Sequence, residues 1–402
     1  MATLFTGFDN WKESAMKLAE RMSRLGTETA FEVLARARAL EAKGINVIHL
    51  EIGEPDFDTP SHVVDAGVSA LRSGLTHYSP SAGIGELRES IARFAGRKRG
   101  LSFSPEQVVV TPGGKPIMFF VILALAQEGD EVIYPNPGFP IYESMIDFVG
   151  ATAVPIPLRE ENRFRLDVDE LASKITPRTR LLIINSPQNP TGSVLEAADV
   201  KGIADLAVHH DLMVLSDEIY SEILYEGEHV SIATFPGMAK RTIILDGFSK
   251  TYAMTGWRLG YGIMPTELAP HVTRLVTNSV SCTATFVQRA GVAALEGPSD
   301  DVTAMVEEFR RRRQLIVSGL NAIPRLRCAM PAGAFYAFPY VGDVGMDCRA
   351  FADHLLNQAG VATLAGTSFG AFGEGYLRLS YANSIANLET ALERIAGAVK
   401  QL

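Results

Sequence analysis

A chain of 402 residues, 47% of them hydrophobic, is long enough to bury a sizeable core and to divide into two or three domains. Its formal net charge of -9 at pH 7 argues against a polyanionic partner such as nucleic acid. The three cysteines, Cys282, Cys328 and Cys348, lie far apart with neither a CxxC pair nor a metal-ligand rhythm, which fits a reducing, cytoplasmic setting and no metal site.

At the start, acids at Asp9 and Glu13 and the lack of a long apolar run exclude a signal peptide or a membrane span, and residues 1–30 read as an amphipathic arm. Val108-Val109-Val110-Thr111 then reads as a strand and Lys115 to Gln127 as a helix. Glu131 to Tyr134 reads as a second strand and Phe139 to Val149 as another helix. The near-continuous apolar run Leu181 to Asn185 has strand length; a helix from Ala197 to His210 follows, then strands at Leu212 to Ser216 and Thr242 to Asp246. Apolar strands spaced by helices predict a mostly parallel sheet covered on both faces. Further on, Arg310-Arg311-Arg312-Arg313 follows Glu307-Glu308 in a helical pattern and reads as a solvated helix face. Tyr376 to Ala382 reads as a C-terminal strand carrying Arg378 between Leu377 and Leu379.

Ligands of such sheets bind beyond the carboxyl ends of the strands. Four polar clusters leave strands there: Thr111-Pro112-Gly113-Gly114-Lys115, Asn185 through Gly192, Asp217-Glu218-Ile219-Tyr220, and Ser249-Lys250. Each alone is ordinary turn chemistry, but together they suit one ligand. A glycine turn opening a helix offers N–H donors to an anion, and Ser249 with Arg258 adds a hydroxyl and a guanidinium, so a phosphate fits. Lys250, among small and apolar residues, is either a surface lysine or a desolvated amine able to form a Schiff base. Asp217 needs a cation such as a protonated pyridine nitrogen; Asn189 and Tyr220 can donate to a phenolate oxygen on the same ring, and Phe139 can stack on it. Phosphate, aldehyde, phenolate and pyridine nitrogen together describe pyridoxal 5'-phosphate.

From about Phe31 to the C-terminus the chain resembles the fold-type I pyridoxal-phosphate aminotransferases of class I/II, in particular their bacterial aspartate-aminotransferase-like subgroup. The resemblance rests on Gly53-Glu54-Pro55-Asp56-Phe57, Tyr78-Ser79-Pro80 with Gly83, Gly113-Gly114-Lys115, Asn189-Pro190-Thr191-Gly192, Asp217 to Tyr220, Ser249-Lys250 with Arg258, and Arg378-Leu379-Ser380-Tyr381. It implies that Lys250 binds the cofactor covalently and shuttles the substrate proton, that Asp217 pairs with the ring nitrogen, and that Asn189 and Tyr220 contact the 3'-oxygen. It puts Ser249, Arg258 and the Gly113-Gly114-Lys115 turn at the phosphate, and Phe139 where many relatives have a stacked tryptophan. Arg378, helped by the Gly53 backbone and by Asn189, would clamp the substrate α-carboxylate; by alternation alone it is equally an outward strand residue. Tyr78 would reach the phosphate of a neighbouring subunit, so the resemblance implies a homodimer with shared sites.

The implied architecture is a large domain over residues 61–290, with a mainly parallel seven-stranded sheet, and a smaller α/β domain built from 31–60 and 291–402. The implied reaction moves an amino group from an L-amino acid to a 2-oxo acid by a ping-pong route. A C–S β-lyase, or another elimination or oxidation, would use the same residues and differ in its products. A cofactor-sensing regulatory module is disfavoured, because about thirty residues before the match are too few for a DNA-binding domain. For the substrate side chain, Lys115 points to a distal carboxylate, as in aspartate-type relatives. Glu28 complicates this. It falls near a position where relatives carry a small hydroxyl residue facing the partner's site, and it is either a repellent of acidic substrates, favouring a neutral or basic side chain, or an exposed acid at a helix start.

Overall fold

The computed structural model describes residues 16–402, so the first half of the expected N-terminal arm, with Asp9 and Glu13, lies outside the described residues. In chain order the strands are β1 (Ile48–His49), β2 (Val108–Thr111), β3 (Glu131–Asn136), β4 (Thr152–Pro157), β5 (Thr179–Asn185), β6 (Met213–Asp217), β7 (Thr242–Gly247), β8 (Gly260–Ile263), β9 (Tyr336–Ala337), β10 (Val361–Ala362), β11 (Leu364–Ala365) and β12 (Leu377–Ser380). Seven of them form one sheet in the order β2-β8-β7-β6-β5-β3-β4. Only β8 runs against its neighbours.

The apolar strands are buried on both faces, as a covered parallel sheet requires. Leu181 and Ile183 of β5 pack with Val109, Leu215 and Ile243 against helices Lys115–Leu125, Ile141–Val149 and Ala269–Ser279. Leu182 and Ile184 point the other way, into a cluster with Val214 and helix Ala197–His209. A third cluster joins Val108, Val110 and Ile263 to helices Gly85–Arg99 and Thr285–Glu296.

Two strands of this sheet escape the sequence reading, for different reasons. β4 (Thr-Ala-Val-Pro-Ile-Pro) carries two prolines, which a strand tolerates only at a sheet edge, and β4 is an edge. β8 (Gly-Tyr-Gly-Ile) has two glycines and too few apolar residues to stand out.

A separate apolar cluster binds helices Asp300–Asn321 and Ile385–Lys400 to β9 and β12. β12 pairs antiparallel with β11 and β9, while β1 pairs parallel with β10. The arginine run belongs to this region and corrects the expectation of a wholly solvated face. Arg311 is exposed, but Arg312 and Arg313 are each only 6% exposed. Arg312 Nη1 bonds Asp56 at 2.6 Å and its guanidinium lies 4.9 Å from the Phe57 ring, while Arg313 Nη1 donates to the Pro331 carbonyl at 2.9 Å. The run thus ties the long helix to the segment after Gly53.

Because β8 alone is reversed, the carboxyl ends of β2, β5, β6 and β7 share one edge with the amino end of β8. Thr111 and Gly247 both face Gly260, and Asn185 pairs with Asp217. That edge is the floor of the site.

Candidate active site

A cavity opens over this edge, between the large sheet and the region around β12. Its walls include Gly53, Gly114, Lys115, Phe139, Asn189, Asp217, Tyr220, Ser249, Lys250, Arg258 and Arg378, and Glu28 closes one side. Of the residues singled out in the sequence, Gly113 stands just behind the wall and Tyr78 stands apart from it, 89% exposed.

Lys250 follows β7, and its Nζ donates to the Gly53 carbonyl and lies 5.8 Å from the centre of the Phe335 ring. Burial, assisted by the nearby Arg378 and Arg258, pushes its ammonium down to about 8, against the attraction of Glu54 and Glu28. A useful share of neutral amine is therefore present near neutral pH. Asp217 ends β6 at 7% exposure. Burial pushes its carboxyl up to about 6, although Tyr142 Oη donates to Oδ2 at 2.6 Å and the Ile219 N–H reaches Oδ1 at 3.3 Å.

Beyond β2 the chain turns through Gly113, whose φ of +87° suits glycine, and Thr111 Oγ1 closes the turn on the Gly113 carbonyl at 2.7 Å. A Cβ at Gly113 would collide with the Arg258 guanidinium. Arg258 itself sits at φ +55°, uncommon for a side-chain-bearing residue, and its Nη1 donates to the Thr255 carbonyl at 2.8 Å. The helix opening at Lys115 has no side-chain cap; Pro116 carries no N–H and the Ile117 N–H bonds the Gly114 carbonyl at 3.0 Å, so the N–H groups of Gly114 and Lys115 are the ones placed for an anion.

On the opposite wall Arg378 is 3% exposed, not an outward strand residue. Its Nη2 donates to the Glu51 carbonyl, its Nε has no partner among the described residues, and its guanidinium lies 4.7 Å from the Tyr336 ring and 5.2 Å from that of Phe369. Tyr336 Oη and Tyr220 Oη lie 2.6 Å apart. Asn189 is held by its backbone N–H on Asn185 Oδ1 at 2.9 Å, and its side-chain oxygen is buried with no partner among the described residues.

Three contributors were not found in the sequence. Tyr142 lies three residues after Phe139 at the start of helix Ile141–Val149, so helical spacing alone would have put the two side by side. Tyr336 had no local signal. Beneath the floor, Arg99 Nη2 meets Glu218 at 2.7 Å and Asp246 at 3.4 Å, all three buried. Burial alone would raise the Glu218 carboxyl, but Arg99 and His229 override it and hold it well below the usual range.

These groups fit pyridoxal phosphate. Asp217 is a buried carboxylate with donors but, among the described residues, no cation in contact, and a protonated ring nitrogen would supply one. The helix start with Ser249 and Arg258 suits the phosphate, and Asn189, whose side-chain oxygen has no partner among the described residues, can turn its amide to a polar ring substituent.

Comparison with known proteins agrees. A fold-type I α/β architecture with this constellation defines a pyridoxal-phosphate enzyme, and residues 45–395 match the family "Aminotransferase class I and II". The chain is 40% identical to an aromatic-amino-acid aminotransferase of Thermococcus litoralis over 96% of its own length and 99% of the relative's. It is 41% identical to an arginine–pyruvate transaminase of Pseudomonas aeruginosa, over 91% and 93%. The solved structure of Thermus thermophilus aspartate aminotransferase with maleate superposes with a TM-score of 0.92 at 40% identity, covering 95% of this chain and all of that one. The chain belongs to the class I and II aminotransferases: it is a pyridoxal-phosphate-dependent transaminase acting on amino acids and 2-oxo acids.

Proposed function

We propose that Lys250 holds the cofactor and is the acid–base group of the transamination. The observation that carries this is its amine, lowered to about 8 by burial, on the cavity floor with Asp217 and Arg378 in the same walls. When bound, the cofactor supplies a carbonyl carbon for amine exchange and a ring that takes up the electron pair left at the substrate Cα. Arg378 grips the substrate α-carboxylate, helped by Asn189 and the Gly53 backbone. Lys250 Nζ, freed by the incoming amine, then takes the Cα proton. Asp217 would pair as a carboxylate with the ring nitrogen, and Tyr142, by donating to Oδ2, orients it. Asn189 and Tyr220 would hold the 3'-oxygen. Ser249, Arg258 and the backbone of Gly113, Gly114 and Lys115 would hold the phosphate, and Phe139 would pack on the ring. Lys250→Ala should lose both the absorbance band of the lysine-linked cofactor and turnover with every donor; normal turnover would end the assignment.

The working unit is a homodimer in which Tyr78 completes the partner's site. Its 89% exposure, together with exposed Leu18, Met22, Leu25 and Phe31, supports this reading. Activity and cofactor affinity that survive dilution to a monomer would exclude it. Residues 31–60 with 291–402 form the smaller domain and 61–290 the larger. Arg378 and Lys250 then belong to different domains, and substrate bound between them draws the two together. An unchanged domain orientation with a bound analogue would contradict this closure. A cytoplasmic setting is favoured by three free cysteines; among the described residues no helix is long and apolar enough to cross a membrane.

A further inference from the structure

We infer that Glu28 sets the side-chain preference of this transaminase, disfavouring amino and 2-oxo acids with a distal carboxylate and favouring those with an uncharged side chain. The inference rests on the site reading above, with Arg378 as the α-carboxylate anchor. Glu28 does not face away from its own subunit. Arg24 Nε donates to the Asp147 carbonyl at 2.9 Å and the Gly26 N–H to Ser144 Oγ at 2.9 Å, which fastens the N-terminal segment to helix Ile141–Val149. The chain then enters helix Thr29–Glu41 with Glu28 at its cap position, facing this subunit's cavity.

There Glu28 forms an ion pair with Lys115. The Glu28 side chain is 18% exposed, and the Lys115 Nζ also lies 5.4 Å from the centre of the Phe139 ring. Lys115 is thus already neutralised by a group of its own chain. The Glu28 carboxylate lines the same cavity as Lys250, Arg378 and Tyr336, which places it in the substrate space.

A distal carboxylate entering this space has two options. It can displace Glu28 from Lys115, leaving two carboxylates beside one ammonium, or it can lie next to Glu28 unpaired; like charges oppose both. An uncharged side chain meets neither penalty. It finds apolar walls in Phe31, Leu34, Ile52, Met118 and Phe139. Arg38 also lines the cavity, but ten positions further along the helix, about 15 Å away by helical rise. Because donor and acceptor use the same pocket in turn, the preference applies to both half-reactions.

The test uses the holoenzyme with L-phenylalanine or L-aspartate as donor and pyruvate as acceptor, in wild type, Glu28→Gln and Arg38→Gln. Wild type should favour phenylalanine in kcat/KM by about tenfold or more, and Glu28→Gln should raise the aspartate value by about tenfold while leaving phenylalanine within about threefold. Arg38→Gln should leave the ratio unchanged. In parallel, succinate and 3-phenylpropionate, which have no amino group to transfer, are titrated against the cofactor absorbance and the melting temperature. Succinate should bind more weakly than 3-phenylpropionate to wild type and gain about tenfold in Glu28→Gln. A wild type that prefers aspartate and succinate, with Glu28→Gln leaving both unchanged or weaker, would overturn the inference. The two readings fail separately: loss of turnover with every donor strikes the site assignment, while the ratio of the two acids still decides the role of Glu28.

Discussion

Asp217→Asn should make the cofactor-free protein more stable while destroying its activity. In the cofactor-free fold burial pushes the Asp217 carboxyl up to about 6, from the ordinary 3.8. Folding therefore favours the protonated acid. The stability this contributes is complete below the unfolded value and is lost as pH rises through the folded one. At ~1.36 kcal/mol per pH unit the gap is worth about 3 kcal/mol, roughly half of it lost by pH 5 and nearly all by pH 7. An asparagine does not ionise; with its oxygen on the Ile219 N–H, its NH2 can donate to Tyr142 Oη, which then accepts instead of donating. Urea unfolding of the two cofactor-stripped proteins at pH 5 and pH 8 measures the difference. The variant's advantage should grow by about 1–2 kcal/mol between these values, and saturating cofactor should reverse the order, because the wild-type carboxylate then gains a cation. An advantage that is absent at pH 8, or that is larger at pH 5, would refute the reasoning.

Two substitutions test neighbouring parts of the site. Tyr142→Phe removes a 2.6 Å bond to a buried carboxylate, a loss of about 1.5–3 kcal/mol; cofactor affinity should fall about tenfold or more, and its loss at acid pH should begin at a higher pH than in wild type. An unchanged pH profile of cofactor binding would show that Tyr142 does not orient Asp217. Arg378→Lys replaces a two-pronged donor by a point charge, so KM for the amino donor should rise about tenfold or more with the cofactor absorbance unaltered, as steady-state kinetics and a spectrum would show.

Much of the site was legible because each residue ends a recognisable element. Lys250 follows the apolar run of β7, Asp217 ends β6, and the Gly113-Gly114 turn joins β2 to a helix. Apolar strand length and turn chemistry are local signals, so residues that obey them can be read without a structure. Arg378 was ambiguous, because alternation places it opposite Leu377 and Leu379 whichever face is buried; only packing against Tyr336 and Phe369 decides. Glu28 depends on contacts with residues more than eighty positions away, as do the Arg99–Glu218–Asp246 network and Arg312 of the arginine run. Those contacts have no local pattern. Helix period and charge alone read the arginines as solvated, and the burial of Arg312 against Asp56 and Phe57 overrode that pattern.

The most direct measurement reduces the holoenzyme with borohydride, digests it and locates the cofactor by peptide mass. The cofactor mass should appear on the peptide that carries Lys250, the lysine that follows β7 on the cavity floor. Cofactor fixed to Lys115 or to any other lysine, or an active enzyme in which none is fixed, would contradict the account.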